Sequence, residues 1–170
     1  MGAASAGLPA VFVPAGPMLR GHWRGETLGS GTDMWKYWDE KRAGRIGERE
    51  MSELEAGLAR SPGTCMTMGT ASTMTSAAEA LGVTMPGASA IPAVDSAHSR
   101  MAAAAGIRAV TLVNEGARLS RFLTAEAYLD AIATVLALGG STNAVIHLIA
   151  MAGRSGVSLT LEDFDRLARE

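Results

Sequence analysis

Ser61-Pro-Gly-Thr-Cys-Met-Thr-Met-Gly-Thr-Ala-Ser-Thr-Met74 holds the chain's only cysteine between two glycines and ahead of a run of small hydroxyl residues. Pro62 and Gly63 bend the chain just before Cys65. From about Ala71 the apolar spacing turns helical, with Ala71, Met74, Ala78 and Leu81 at i, i+3, i+7 and i+10. Cys65 is therefore expected in a loop that feeds a helix start. The first turn of a helix offers unpaired N–H groups and a partial positive charge, which favour a thiolate or a bound anion. Thr70, Ser72 and Thr73 add hydroxyl donors there. Spacing alone leaves three roles open for Cys65: a buried structural thiol, a nucleophile, or a ligand to a metal or cluster.

Outward from this stretch, residues 10–13 form a short apolar run bounded by Pro14 and Gly16, which predicts a buried strand. Residues 17–47 alternate glycines with His22, Trp23, Trp35, Tyr37 and Trp38. They predict a long loop with a short helix near residues 34–42. That loop is either pinned by tryptophans packing on a sheet or lies on the substrate side, with Ser30, Thr32 and Asp33 facing a polyol. Residues 48–59 carry Met51, Leu54 and Leu58 on one stripe, an amphipathic surface helix. Gly82 should stop the helix after the cysteine, and Pro92 makes residues 90–94 too broken for a central strand.

Asp95 and Ser96 can cap a helix ending at Gly106, with His98 and Arg100 at its surface. Arg108-Ala-Val-Thr-Leu-Val113 then reads as the clearest strand, with Asn114 and Glu115 as site candidates at its C-terminal edge. Thr124 starts a helix with Tyr128, Ile132, Val135 and Leu136 inside. Gly139 and Gly140 break it. Ser141 or Thr142 caps an apolar helix over residues 144–152, buried on most of its circumference, in which His147 is expected to be a core histidine satisfied by a backbone carbonyl. The Gly139–Asn143 turn either cradles a carboxylate or phosphate with its N–H groups or is an ordinary helix connection. Thr160 caps the last helix, with Leu161, Phe164, Leu167 and Ala168 on one face. The resulting fold class is α/β, with layered helices packed on a small, mostly parallel sheet.

With 170 residues the chain is long enough for one domain with a real core. A net charge of −2 gives no basic excess, so neither nucleic acid nor an anionic membrane surface is an expected partner. One cysteine excludes an internal disulfide and fits a reducing compartment. No secretory leader and no apolar run of about 18 residues is visible, so the plain expectation is a cytoplasmic protein.

Cys65-Met-Thr-Met-Gly-Thr-Ala-Ser-Thr-Met74 resembles the cysteine loop of the iron–sulfur dehydratases, the family of dihydroxy-acid, phosphogluconate and sugar-acid (aldonate) dehydratases. Gly16-Pro-Met-Leu19, Gly29-Ser-Gly-Thr-Asp-Met-Trp-Lys36, Ile91-Pro-Ala-Val-Asp95 and Gly139-Gly-Ser-Thr-Asn-Ala-Val-Ile-His147 resemble further stretches of that family in the same order. Residues 29–38 are closer to the sugar-acid branch than to the branched-chain amino-acid branch.

The resemblance implies a hydro-lyase that takes a small hydroxy acid, a 2,3-dihydroxy acid or sugar acid, to a 2-keto acid. It also implies an iron–sulfur cluster held by three cysteines, of the 2Fe-2S type in preference to 4Fe-4S, with Mg2+ beside it and a serine base from a C-terminal domain. Complete members are expected to be homo-oligomers. Carried over residue by residue, Cys65 is one cluster ligand, and Thr64, Thr67, Gly69, Thr70, Ser72, Ser141, Thr142 and Asn143 are candidate surroundings of substrate or cluster. The other cysteines, the acidic Mg2+ ligands and the serine have no counterpart in this sequence. The chain is thus expected to be an incomplete, internal piece of a larger N-terminal domain, over residues 1–170, inactive alone. A non-catalytic remnant or subunit module is an alternative. So is a thiol enzyme with Cys65 as nucleophile, which needs a nearby base from His22, His98 or His147.

Overall fold

Apolar residues three and four apart recur along most of the chain, and helices follow. The computed structural model describes residues 1–170. A short N-terminal helix, α1 (Gly2–Ala6), precedes an extended segment and a hairpin of β1 (Gly21–Trp23) and β2 (Glu26–Leu28). Then come α2 (Thr32–Arg42), α3 (Glu48–Leu58), α4 (Thr70–Ala80), α5 (Ser96–Asn114), α6 (Ala125–Ala137), α7 (Asn143–Ser155) and α8 (Leu161–Arg169). None of these helices is long and apolar enough to cross a membrane.

The buried side chains fall into two groups. In the larger, α4, α6, α7 and α8 meet around Leu81, Tyr128, Ile132, Leu148 and Phe164. Ala77, Ala131, Ala144 and Ala152 are fully buried there, and their small side chains let the helix backbones approach closely. The smaller group joins the hairpin to α2 and α3 through Leu28, Tyr37, Met51, Leu54 and Leu58. Residues 59–69, which carry Cys65, connect the two.

Helices and a small sheet are both present, as the α/β reading expects, but the sheet is two-stranded and antiparallel instead of mostly parallel. It also forms where a loop was expected. Arg24 and Gly25 both take positive φ (47° and 85°), the geometry of a tight two-residue hairpin turn. The expected strand at residues 10–13 reduces to one bridge, Phe12 to Thr84, with Phe12 and Val13 exposed.

The strand expected at residues 108–113 is the second half of α5, which runs through Gly106 without a break. Its β-branched residues mimic a strand, yet Met101, Ala105 and Leu112 bury one helical face, and that burial decides the matter. Ile107, Val110 and Val113 lie on the exposed side. Asn114 and Glu115 therefore sit at a helix end, where Glu115 pairs with Arg108 at 3.3 Å, and not at a sheet edge.

Three helical faces are narrower than expected: Leu136 on α6, Ile146 on α7 and Leu161 on α8 are exposed. Thr124 and Thr160 do cap α6 and α8. Thr124 accepts the Ala127 N–H, and Thr160 forms a reciprocal capping box with Asp163.

Candidate functional site

The cysteine loop is fixed from its N-terminal side by backbone pairing. The Thr64 N–H donates to the Gly16 carbonyl and the Met18 N–H to the Thr64 carbonyl, both at 2.9 Å. Gly63 lies so close to this strand that a Cβ would fall 2.4 Å from the Met18 nitrogen, and its φ of 131° suits only glycine. Gly16 is equally confined: its φ is 81°, and a Cβ would fall 2.4 Å from the Ile91 carbonyl oxygen. The Ala93 N–H also donates to the Pro17 carbonyl at 3.0 Å. The stretches 16–19, 61–74 and 91–95, separate in sequence, thus form one scaffold.

Met66 turns inward, with its Sδ accepting the Gly21 N–H at 2.7 Å and its side chain packing on the smaller core. Held between the tied Thr64 and the inward Met66, Cys65 faces outward and is exposed. This removes the buried structural thiol from the open roles. Cys65 Sγ lies 3.2 Å from Thr67 Oγ1, its one hydrogen-bond partner, and 4.0 Å from where a Gly69 Cβ would stand.

Gly69 occupies the N-cap position of α4, and the N–H groups of Thr70, Ala71 and Ser72 make no hydrogen bond within the protein. The open end expected from the sequence is there. The turn after α6 reaches the same place. Thr70 Oγ1 and Ser141 Oγ are 3.0 Å apart, and Asn143 Nδ2 donates to Thr70 Oγ1 at 2.9 Å. Thr70, Ser141 and Asn143 therefore form one polar cluster from residues seven tens of positions apart. Thr142 is exposed and outside it. Ser72 lines, with Thr64, Thr75 and Ser89, a polar cleft of about 10 Å³, room for one water at most.

The start of α7 is closed, in contrast to that of α4. The Ser141 N–H donates to Thr73 Oγ1, the Asn143 N–H to Ser141 Oγ, and the Ala144 and Val145 N–H groups to the Ser141 and Thr142 carbonyls. Every N–H of the turn from Gly139 to Asn143 is thus engaged except that of Thr142, the pattern of a helix connection with one free donor. Thr73, expected to be a hydroxyl donor of the loop, is fully buried, and α4 turns Thr73, Ala77 and Leu81 inward while Ala71 is exposed. Thr73 is the residue that sequence reasoning missed. Its i, i+4, i+8 spacing with Ala77 and Leu81 was the available signal.

The remaining candidates lie elsewhere. His22 is exposed on β1, and His98, expected at the surface, is half-buried with Nε2 2.8 Å from the Pro14 carbonyl oxygen. His147 is half-buried and has no hydrogen-bond partner, so it is not the carbonyl-satisfied core histidine expected. None bonds to Cys65, which leaves the thiol without the base a nucleophile needs. Asp33 accepts the Gly29 N–H at 2.6 Å, while Trp35 and Trp38 are exposed instead of packed on the sheet. Trp23 takes that packing role, edge-on to Tyr37 at 5.1 Å. No group of three or more His, Cys, Asp or Glu side chains converges to hold a metal ion.

Across residues 1–170 the sequence matches the N-terminal family of dihydroxy-acid/6-phosphogluconate dehydratases. The chain belongs to this family. Among curated dehydratases it is 54% identical over 162 residues to a 6-deoxy-6-sulfo-D-gluconate dehydratase of Pseudomonas putida, covering 95% of this chain and 28% of that protein. It is 52% identical to an L-arabinonate dehydratase of Rhizobium leguminosarum bv. trifolii, covering 100% of this chain and 29% of the relative. A dihydroxy-acid dehydratase of Thermodesulfovibrio yellowstonii is 39% identical, with coverages of 100% and 31%. The chain thus spans about three tenths of the length of these dehydratases.

Proposed function

We propose that the chain is the cysteine-loop portion of a hydro-lyase that removes water from a sugar acid to give a 2-keto acid, with Cys65 supplying one thiolate to an iron–sulfur cluster. The observation that carries the reading is the exposed Cys65 sulfur, 4.0 Å from the Cβ position of the α4 N-cap Gly69, at a helix start whose first residue, Thr70, is hydrogen-bonded to Ser141 and Asn143. The greater identity to sugar-acid than to dihydroxy-acid dehydratases, 43–54% against 39–40%, supports an aldonate as the substrate class.

The donors of this chain do not complete the implied centre. A cluster takes several thiolates, the sequence has one cysteine, and no acidic group gathers beside it for Mg2+. Cys65 fits one corner, and the other ligands lie outside these residues. What the chain's own groups provide is hydrogen bonding: the Thr70, Ala71 and Ser72 N–H groups and the Thr70 and Ser141 hydroxyls suit the carboxylate and hydroxyls of an aldonate. Dehydration takes a proton from C2 and hydroxide from C3, and the resulting enol becomes the 2-keto acid. In this proposal the reaction belongs to the larger protein, in a reducing cytoplasm and as a homo-oligomer.

A chimera tests this. Residues 1–170 replace the matched segment of the L-arabinonate dehydratase, which they cover in full. The chimera should bind iron and sulfide and form 2-keto acid from an aldonate, and Cys65→Ser should abolish both. A Cys65→Ser chimera that keeps its iron and sulfide overturns the reading. The 170-residue chain alone should carry no stoichiometric cluster and show no dehydration.

A further inference from the structure

Threonines inside helices of this protein normally satisfy their hydroxyls on their own helix. Thr75, Thr111 and Thr134 each donate to the carbonyl four residues back, at 2.8–3.0 Å. Thr73 does not. Its hydroxyl donates at 3.4 Å to the carbonyl of Met68, in the cysteine loop, and accepts the N–H of Ser141, in the turn before α7, at 3.0 Å. The side chain is fully buried, so water is not a competing partner.

Gly140 makes this geometry possible, because a Cβ there would fall 2.7 Å from Thr73 Cγ2. One hydroxyl thus bridges two segments 73 positions apart, residue 68 and residue 141, that otherwise meet near here through the partly exposed Thr70–Ser141–Asn143 cluster.

We propose that Thr73 is a positioning residue, the strut that sets the Cys65 loop against the Ser141 turn. Its functional meaning rests on the reading of Cys65 given above, but the strut itself is a claim about geometry. Without the hydroxyl, the loop from Cys65 to Gly69 and the turn from Gly139 to Asn143 lose their buried connection and move independently.

The test uses the 170-residue chain with Thr73→Val, which keeps the shape and removes the hydroxyl, and Thr73→Ser, which keeps the hydroxyl. Thr73→Val should change the rate of Cys65 alkylation by iodoacetamide and speed amide exchange at Ser141, each by about fivefold, the effect of roughly one net hydrogen bond. Thr73→Ser should stay within about twofold of wild type. Phe164→Leu, in the same core but on α8, should lower Tm without moving either rate.

Wild-type rates in Thr73→Val, or a Thr73→Ser variant no better than the valine, overturn the proposal. Should Thr73→Val not fold, the wild-type chain decides: Ser141 N–H must exchange more slowly than Thr142 N–H, which has no partner, and equal rates refute the strut. None of these readouts needs a cluster or a substrate. Their failure therefore sinks the strut alone, and iron retention by the Cys65→Ser chimera sinks the functional reading alone.

Discussion

Gly140 occupies a position where one methyl group has nowhere to go. A Cβ there would stand 2.7 Å from Thr73 Cγ2 and 3.1 Å from the Val135 carbonyl oxygen, and the threonine is too buried to swing aside. Gly140→Ala should therefore cost about 1–3 kcal/mol in urea unfolding, as overpacking does. Gly153→Ala, with open space around its Cβ and a place inside α7, should instead be neutral or stabilising. Equal effects of the two would refute the packing argument. At this scale the sequence was partly legible. The Pro-Gly bend and the loop that feeds a helix start follow from local chemistry, whereas the exposure of the Cys65 sulfur is settled only by the Thr64 and Met66 contacts on either side of it. Thr73 did not, because a hydroxyl at a helix start is read as a donor to solvent or ligand until a partner from position 141 is known.

At the scale of elements, α5 is the sharpest disagreement between local preference and the observed chain. Its second half is rich in valine, threonine and isoleucine, and Gly106 looks like a terminator. Yet Gly106 lies in the helix interior, without a positive φ, and nothing lies within 4 Å of its missing Cβ. Gly106→Ala should accordingly raise stability by about 0.5–1 kcal/mol, the usual gain in a helix interior. A loss in the urea midpoint would restore the helix–turn–strand reading. The hairpin shows the converse failure. Its strands are three residues each, too short for a period of two to register, and its turn uses Arg-Gly in place of the usual Asn-Gly. By contrast, α3, α6 and α8 were legible because their stripes coincide with real caps or with one simple buried face.

The whole molecule consists of two unequal cores joined by the cysteine loop, and both depend on ionised carboxylates. In the smaller half, the Gly47 N–H and then the Arg24 guanidinium hold the Glu50 carboxyl below its ordinary range. On α4, burial pushes Glu79 up, but the Ser89 hydroxyl, followed by the N–H groups of Ser89 and Gly87, outweighs it and the net direction is down. On α8, the Thr160 N–H does the same for Asp163. Each folded pKa lies below the unfolded one, so each contribution is present above the unfolded value and is lost as pH falls through the folded value. The urea midpoint should be level near neutrality and decline from about pH 4 downward. The two halves should also part company. Five buried residues hold the smaller core and fourteen the larger, and the three tryptophans, Trp23, Trp35 and Trp38, all belong to the smaller half. In acid, tryptophan fluorescence should therefore lose its native signal at lower urea than far-UV circular dichroism, which follows all the helices. A midpoint that is flat down to about pH 3 would refute the carboxylate argument, and superimposable curves in acid would refute the division into two cores, since a single cooperative unit reports one transition to every probe.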